Sequence, residues 1–300
     1  MRLFCLSDGI IEPSRDWQRR ALNLSSLHFS ILGVHFSIAG TTGHLRELLL
    51  QNFADYQCPP AEVTPFFTIR ARPDGRQTIE SLRSGTIWET GETDDMNADS
   101  YFFLYALEKE LTLELQRARA DLYFVHAAVL ERHGSCILIA AESGTGKSTT
   151  AFALQQLGFS YMSDELAPID VAGTSVFGYR HALCLKNAPP EPFAELPAHF
   201  ATERTLHIPV SELNSTATND PVPLGALIFL QRSGTNSIPR LTPVSPAEGA
   251  ARLYANALNA LAHPNSGLDA VAEIADRVPA WTLDAGDLEA TCRLLERFNY

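Results

Sequence analysis

The sequence predicts an α/β protein with a phosphate-loop core, preceded by a smaller α+β module. Three observations predict it. The apolar run "GSCILIA" (134–140) leads into the Gly/Ser-rich turn "AESGTGKSTT" (141–150) and then the helical stretch "STTAFALQQLGF" (148–159). Short strand-like segments alternate with one helical segment before residue 95. From Ser100, "SYFFLYALEKELTLELQRARADL" repeats apolar residues every three or four positions, as an amphipathic helix requires, and leads into the second module. The expected division is 1–98 for the N-terminal module and 99–300 for the core.

Composition bounds the function. The chain has 300 residues, 45% of them hydrophobic, enough to bury a large core. A formal charge of -12 and a pI near 5.2 argue against nucleic acid or anionic lipid as bulk electrostatic partners. The start, "MRLFCLSDGIIEPSRDW", is too short and too interrupted in its apolar stretch for a signal peptide or a membrane span, and no later run reaches spanning length. Five cysteines (Cys5, Cys58, Cys136, Cys184, Cys292) are dispersed, odd in number and without a histidine at ligand spacing. They imply a reduced, cytoplasmic protein without structural zinc.

In order along the N-terminal module, "LHFSILGVHFSIA" (27–39) reads as a strand or a pair of strands, and "HLRELLLQNFADY" (44–56) as a helix. "PFFTIRARP" (65–73) and "GTIWETGE" (85–92) read as further strands. In the core, "YFVHAAVLER" (123–132) is expected to form one strand joined to "GSCILIA" by a hairpin turn at His133-Gly134. "YMSDELAPIDV" (161–171) begins as a strand. The proline-rich 188–204 reads as irregular, with 188–197 open as lid, acceptor loop or plain connection, and 211–223 reads as a polar loop. "LGALIFLQRS" (224–233) is a buried strand by its unbroken apolar centre. Ser245 caps a helix opening at "SPAE", and "AWTL" (280–283) and "DLEATCRLLERF" (287–298) close the chain as strand and helix.

A phosphate loop needs a buried strand, a turn of small residues whose backbone N–H groups converge on phosphate oxygens, and a helix whose positive end completes the site. The pattern G-x-x-x-x-G-K-[ST] is met at Gly146, Lys147 and Ser148, with Ala141 in place of the first glycine. Alanine is tolerable there if its φ is negative. The nucleotide-binding candidates are therefore Ala141, Glu142, Ser143, Gly144, Thr145, Gly146, Lys147, Ser148 and Thr149. Asp164 and Glu165 fall where a second parallel strand beside the loop would finish, and carboxylates there suit magnesium-dependent phosphate chemistry.

The stretch "VHAAVLERHGSCILIAAESGTGKSTTAFALQQLGFSYMSDELAPI" resembles the catalytic core of the HPr kinase/phosphorylase family, itself similar in its core to phosphoenolpyruvate carboxykinase. That family carries a histidine before the loop, the loop, a helix ending in "xxG", and an acidic pair after a short strand. His126, Lys147, Ser148, Gly158, Asp164 and Glu165 occupy those places. The resemblance is strong over 123–170 and does not reach the N-terminal module.

The resemblance implies ATP and Mg2+ as cofactors. Asp164 becomes the general base, with His126 orienting it, Ser148, Asp164 and Glu165 holding magnesium, and Lys147 offsetting charge on the β- and γ-phosphates. A lone histidine on an apolar strand is otherwise a hydrogen-bonded core residue. The acidic pair is Asp-Glu where the bifunctional enzymes have Asp-Asp, and their Glu-x-Arg-Gly stretch is replaced by "GYRHALCLKN" (178–187). Arg180 and Lys186 are accordingly the candidates for extra positive charge, against a reading as ordinary surface cations.

The pattern is also similar to HPr-kinase-related proteins of bacterial peptide-modification gene sets, among them the lasso-peptide kinases. It implies a kinase whose acceptor is a serine of a peptide or small protein, with the N-terminal module recognising it. A nucleotide-binding regulator without transfer chemistry and a kinase of a small hydroxyl metabolite stay open. Relatives commonly assemble, so the apolar C-terminal helices leave room for a homo-oligomer.

Overall fold

The computed structural model describes residues 26–300 except 42, 61–65, 72–76, 83–84, 86, 90–95, 203, 216–219 and 233–237. Among the described residues three sheets form. The first is the N-terminal sheet: β1 (Leu27–Ile31), β2 (Val34–Ala39), then, after helix α1 (Gly43–Asn52), β3 (Phe67–Ala71), β4 (Gln77–Ser81) and β5 (Ile87–Glu89), paired in that order. The run 27–39 is thus a pair of strands, reversed at Leu32 and Gly33, whose φ values of 52° and 76° suit the right-handed twist of a two-residue hairpin. β4 gives no clear signal of its own in the sequence, because it lies in a polar stretch between two stronger apolar segments.

Helix α2 (Met96–Ala118) comes next. Phe103, Leu107, Leu111 and Leu115 on its buried face join Phe29, Phe36, Leu45 and Phe67 in one core, with Phe124, Leu166 and Tyr179 from further along the chain. The helix read as a lead into the second module therefore completes the core of the first sheet. At 1.5–3 kcal/mol per buried large side chain this shared core fastens the N-terminal sheet to the central one.

The central sheet comprises β6 (Tyr123–Val125), β7 (Ala128–Arg132), β8 (Ser135–Ala141), β9 (Ser160–Ser163), β10 (Ala167–Asp170), β11 (Ser175–Val176), and three later strands. Helix α3 (Lys147–Gln156) connects β8 to β9. "YFVHAAVLER" is split: β6 pairs with β10 and β7 with β8, so His126 stands between two strands. The β7–β8 turn has φ 57° at His133 and 82° at Gly134, the expected two-residue hairpin.

A small sheet of β12 (Leu183–Leu185), β13 (Phe200–Ala201) and β14 (Leu206–Ile208) covers the proline-rich region. β15 (Val222–Arg232), β16 (Arg240–Val244), helices α4 (Pro246–Ala255) and α5 (Leu268–Arg277), β17 (Ala280–Ala285) and helix α6 (Leu288–Glu296) finish the chain. Ser245 Oγ accepts the N–H of Glu248 and Asp287 accepts that of Ala290, so both helices carry side-chain N-caps.

β15 runs parallel to β8 on one side and to β17 on the other, pairing Leu230 with Ala141 and Arg232 with Ala285. β7 lies antiparallel between β8 and β9. β9 therefore points the same way as β8 but one strand removed, a correction to the expectation that it lies directly beside it. The carboxyl ends of β8, β9, β15 and β17 share one edge, where open α/β sheets place ligands.

Helix α1 meets the core through Asn52, which is wholly buried. Its Oδ1 accepts the N–H of Ala182 and its Nδ2 donates to Glu108 Oε1. Burial pushes the Glu108 carboxyl up to about 8 from 4.5; the Asn52 hydrogen bond opposes this and the Glu165 charge adds to it. A carboxyl raised on folding contributes stability that is fully present below the unfolded pKa and is lost as pH rises through the folded one. Glu108 is therefore expected to tilt stability downward between about pH 4.5 and 8, by up to ~1.4 kcal/mol per pH unit. Glu108→Gln should flatten that slope in urea titrations at about pH 5 and 8.5. Parallel loss of stability in both proteins would show that another group sets it.

Candidate active site at the carboxyl edge of the central sheet

The loop after β8 begins at Ala141, which pairs with Leu230 and lies outside the positive-φ residues, so its Cβ is no obstacle. Glu142 and Ser143 come after it, and Thr145 N–H closes the turn on Glu142 O at 3.2 Å. Gly144 and Gly146 have φ of 85° and 110°. A side chain at Gly144 would meet nothing within 4 Å, so backbone conformation and not space requires glycine there. Gly146 stands at the N-cap of α3 and brings no side-chain acceptor, which leaves the first-turn N–H groups of Lys147, Ser148 and Thr149 directed at the loop. A turn of this kind is suited to an anion.

Lys147 is turned inward. Its Nζ donates to Asp164 Oδ1 at 2.9 Å and to the Asp164 backbone oxygen. Asp164 is wholly buried, and among the described residues its Oδ2 has no hydrogen-bond partner. The turn holding it is set by Ser163, whose Oγ accepts the N–H of Leu166 at 3.1 Å. Glu165 is exposed beside it. His126 approaches from the break between β6 and β7: its Nδ1 lies 3.1 Å from Glu165 O and 3.7 Å from Glu165 Oε2. The structure thus brings together the loop, Lys147, Asp164, Glu165 and His126, with Ser148 on the first turn of α3.

Arg180 does not join them. Its Nε donates to Asp55 Oδ2 at 2.9 Å, its guanidinium lies over the Tyr56 ring, and its N–H donates to Tyr56 Oη at 2.6 Å. These contacts fasten Arg180 to the turn that follows α1, through partners 124 and 125 residues away in sequence. Lys186 is exposed just past β12, and among the described residues no ion pair ties it to Asp164.

Two residues that sequence reasoning passed over lie at the site. Arg232 ends β15 level with the loop, and its Nη2 would be 3.8 Å from a Cβ placed on Gly146. The arginine at the end of an apolar strand was legible, but its neighbour was not, since that depends on β15 pairing with β8. His181 is buried, and among the described residues its Nδ1 has no hydrogen-bond partner. Burial pushes its pKa down, Glu165 and Asp164 pull the other way, and Lys147 adds to the lowering, which places it in the electrostatic field of the pair.

Strand pairing also gives Cys184 a histidine that spacing along the chain hides. Its Sγ is 3.2 Å from His207 Nδ1, across the β12–β14 pair. Burial pushes the thiol well above its usual value, and burial with the neighbouring His181 pushes His207 down to about 4. Both shifts favour the neutral forms, the opposite of what activates a thiolate.

No family model and no curated protein matches the chain. Among solved structures it is similar to the Hpr(Ser) kinase/phosphatase from Coxiella burnetii, at 14% identity, over 58% of this chain and 86% of that one, with a TM-score of 0.31. The chemistry of the site therefore rests on its own residues.

Proposed function

We propose that this chain is an ATP- and magnesium-dependent kinase that transfers the γ-phosphate to a hydroxyl, with a serine of a peptide or small protein as the acceptor. The observation that carries the reading is the buried Lys147–Asp164 pair set between a two-glycine loop at a helix N-terminus and the carboxyl end of β9. A cation beside a phosphate cradle and a carboxylate with one free oxygen are the two groups phosphoryl transfer asks of a protein.

The donor set fits magnesium. The Ser148 hydroxyl on the first turn of α3 and the exposed Glu165 carboxylate would supply its protein oxygens, which leaves Asp164 Oδ2 for the proton. Among the described residues no group of three or more His, Cys, Asp or Glu is arranged to hold a metal. Magnesium takes one or two carboxylates and completes its shell with water and substrate phosphate. Bound there, magnesium would supply charge neutralisation on the phosphates.

The remaining work falls to the chain. The loop amides orient the phosphates, and Lys147 places positive charge beside them. Asp164 accepts the acceptor hydroxyl's proton at Oδ2 as the hydroxyl oxygen attacks the γ-phosphorus, whose bond to the β-phosphate oxygen breaks so that ADP leaves. His126 holds the Glu165 backbone in place through Nδ1, a positioning role. Residues 1–98 form the acceptor-recognition module in this proposal, and the cytoplasm is its compartment. No helix among the described residues is long and apolar enough to cross a membrane.

The test is to follow γ-labelled ATP with the full chain and a panel of seryl peptides. Label appearing on serine supports the kinase. ATP bound without label leaving it would replace the kinase with a nucleotide-dependent regulator, a reading favoured by the way Asp164 already holds Lys147 in place.

A further inference from the structure

On the other side of the loop from Asp164 lies a cavity of about 260 Å³. It is bounded by Thr145, Gly146 and Thr149 of the loop and α3, by Arg232 at the end of β15, and by Gly286 and Asp287 after β17; Pro190 and Glu191 of the proline-rich stretch close it. We infer that this cavity receives the nucleoside end, base and sugar, of the nucleotide whose phosphates lie on the loop. The inference rests on the nucleotide reading above and assigns the ligand's direction and its second subsite.

Sheet order carries the argument. The strands run β17, β15, β8, β7, β9, so the loop after β8 has Asp164 on one flank and the cavity on the other. On α3 the two flanks are separated by helical geometry: Lys147 and Thr149 are two residues apart, about 200° around the axis. Lys147 reaches Asp164, while Thr149, with Thr150 beside it, lines the cavity. A triphosphate laid across the loop with its reacting end at Asp164 must therefore send its other end toward Arg232 and Gly286.

The lining suits a nucleoside: threonine hydroxyls for sugar and base polar groups, and the Arg232 guanidinium for a ring face or the nearest phosphate. The stretch containing Pro190 and Glu191, which sequence leaves open as lid, acceptor loop or connection, becomes a wall of the nucleotide site. The acceptor enters from the β9 side instead.

Two probes test this, Mg-ATP and magnesium tripolyphosphate, titrated calorimetrically into the full chain and a Gly286→Leu variant. Gly286 lines the cavity and has no positive φ, so its backbone conformation is open to a residue with a side chain. The expected result is at least tenfold weaker ATP binding with tripolyphosphate unchanged. Equal effects on both probes, or on neither, overturn the inference while leaving phosphate binding intact. Failure of both probes to bind the native chain overturns the nucleotide reading itself. Should Gly286→Leu not fold, photolabelling the native chain with 8-azido-ATP decides: label on 190–191 or 285–291 supports the assignment, and label elsewhere overturns it.

Discussion

Asp164→Asn is expected to lower phosphoryl transfer by about 10²–10⁴-fold while Mg-ATP still binds. The substitution keeps the shape of a wholly buried side chain and keeps an oxygen for Lys147, whose second bond, to the backbone oxygen, does not involve the side chain at all. What is lost is the ability of Oδ2 to take a proton. Initial rates of label transfer, set beside calorimetric titration of ATP, separate the two effects. Transfer at the native rate would remove Asp164 from the role of base. Loss of ATP binding in step with transfer would make it a binding residue.

Lys147→Met is expected to act twice. With the ammonium gone, ATP should no longer stabilise the protein in a thermal-shift titration. The ligand-free protein should also unfold more easily, by about 3–5 kcal/mol, because Asp164 is left buried without its cation. That is a large share of the roughly 5–15 kcal/mol by which a domain is stable. The double variant Lys147→Met with Asp164→Asn removes both charges. It should recover most of the stability, and none of the ATP response. A single variant as stable as the native chain would mean that the pair is not held as buried charges.

Much of this site was legible in the sequence because its parts are local. The strand, the two glycines and the helix that succeed one another at 135–156 are set by apolar run, φ-permissive residues and helix propensity, and the His133–Gly134 turn has its own signature. Ser245 was readable as a cap for the same reason. What was not legible depends on which strand lies beside which. Asp164 reaches Lys147 across β7, Arg232 reaches the loop only because β15 pairs with β8, and Arg180 is drawn off to Asp55 by the docking of α1. The break at His126 was missed because buried strands on both sides make 123–132 read as one apolar run.

The hairpin joining β7 to β8 has a role beyond reversing the chain. Residues along β7 alternate between two separate apolar clusters, Leu130 in one and Val129 in the other, so a one-residue slip against β8 would exchange them and be resisted on both faces. A two-residue slip would restore the alternation, and burial alone offers little against it. It would carry the start of β7, and His126 just before it, about 7 Å along the sheet and away from the Glu165 backbone. The tight turn at His133–Gly134, about 17 Å from Ala128 by strand rise, rules that slip out. The turn at the far end of the sheet is thus the gauge that sets His126 at the height of the acidic pair.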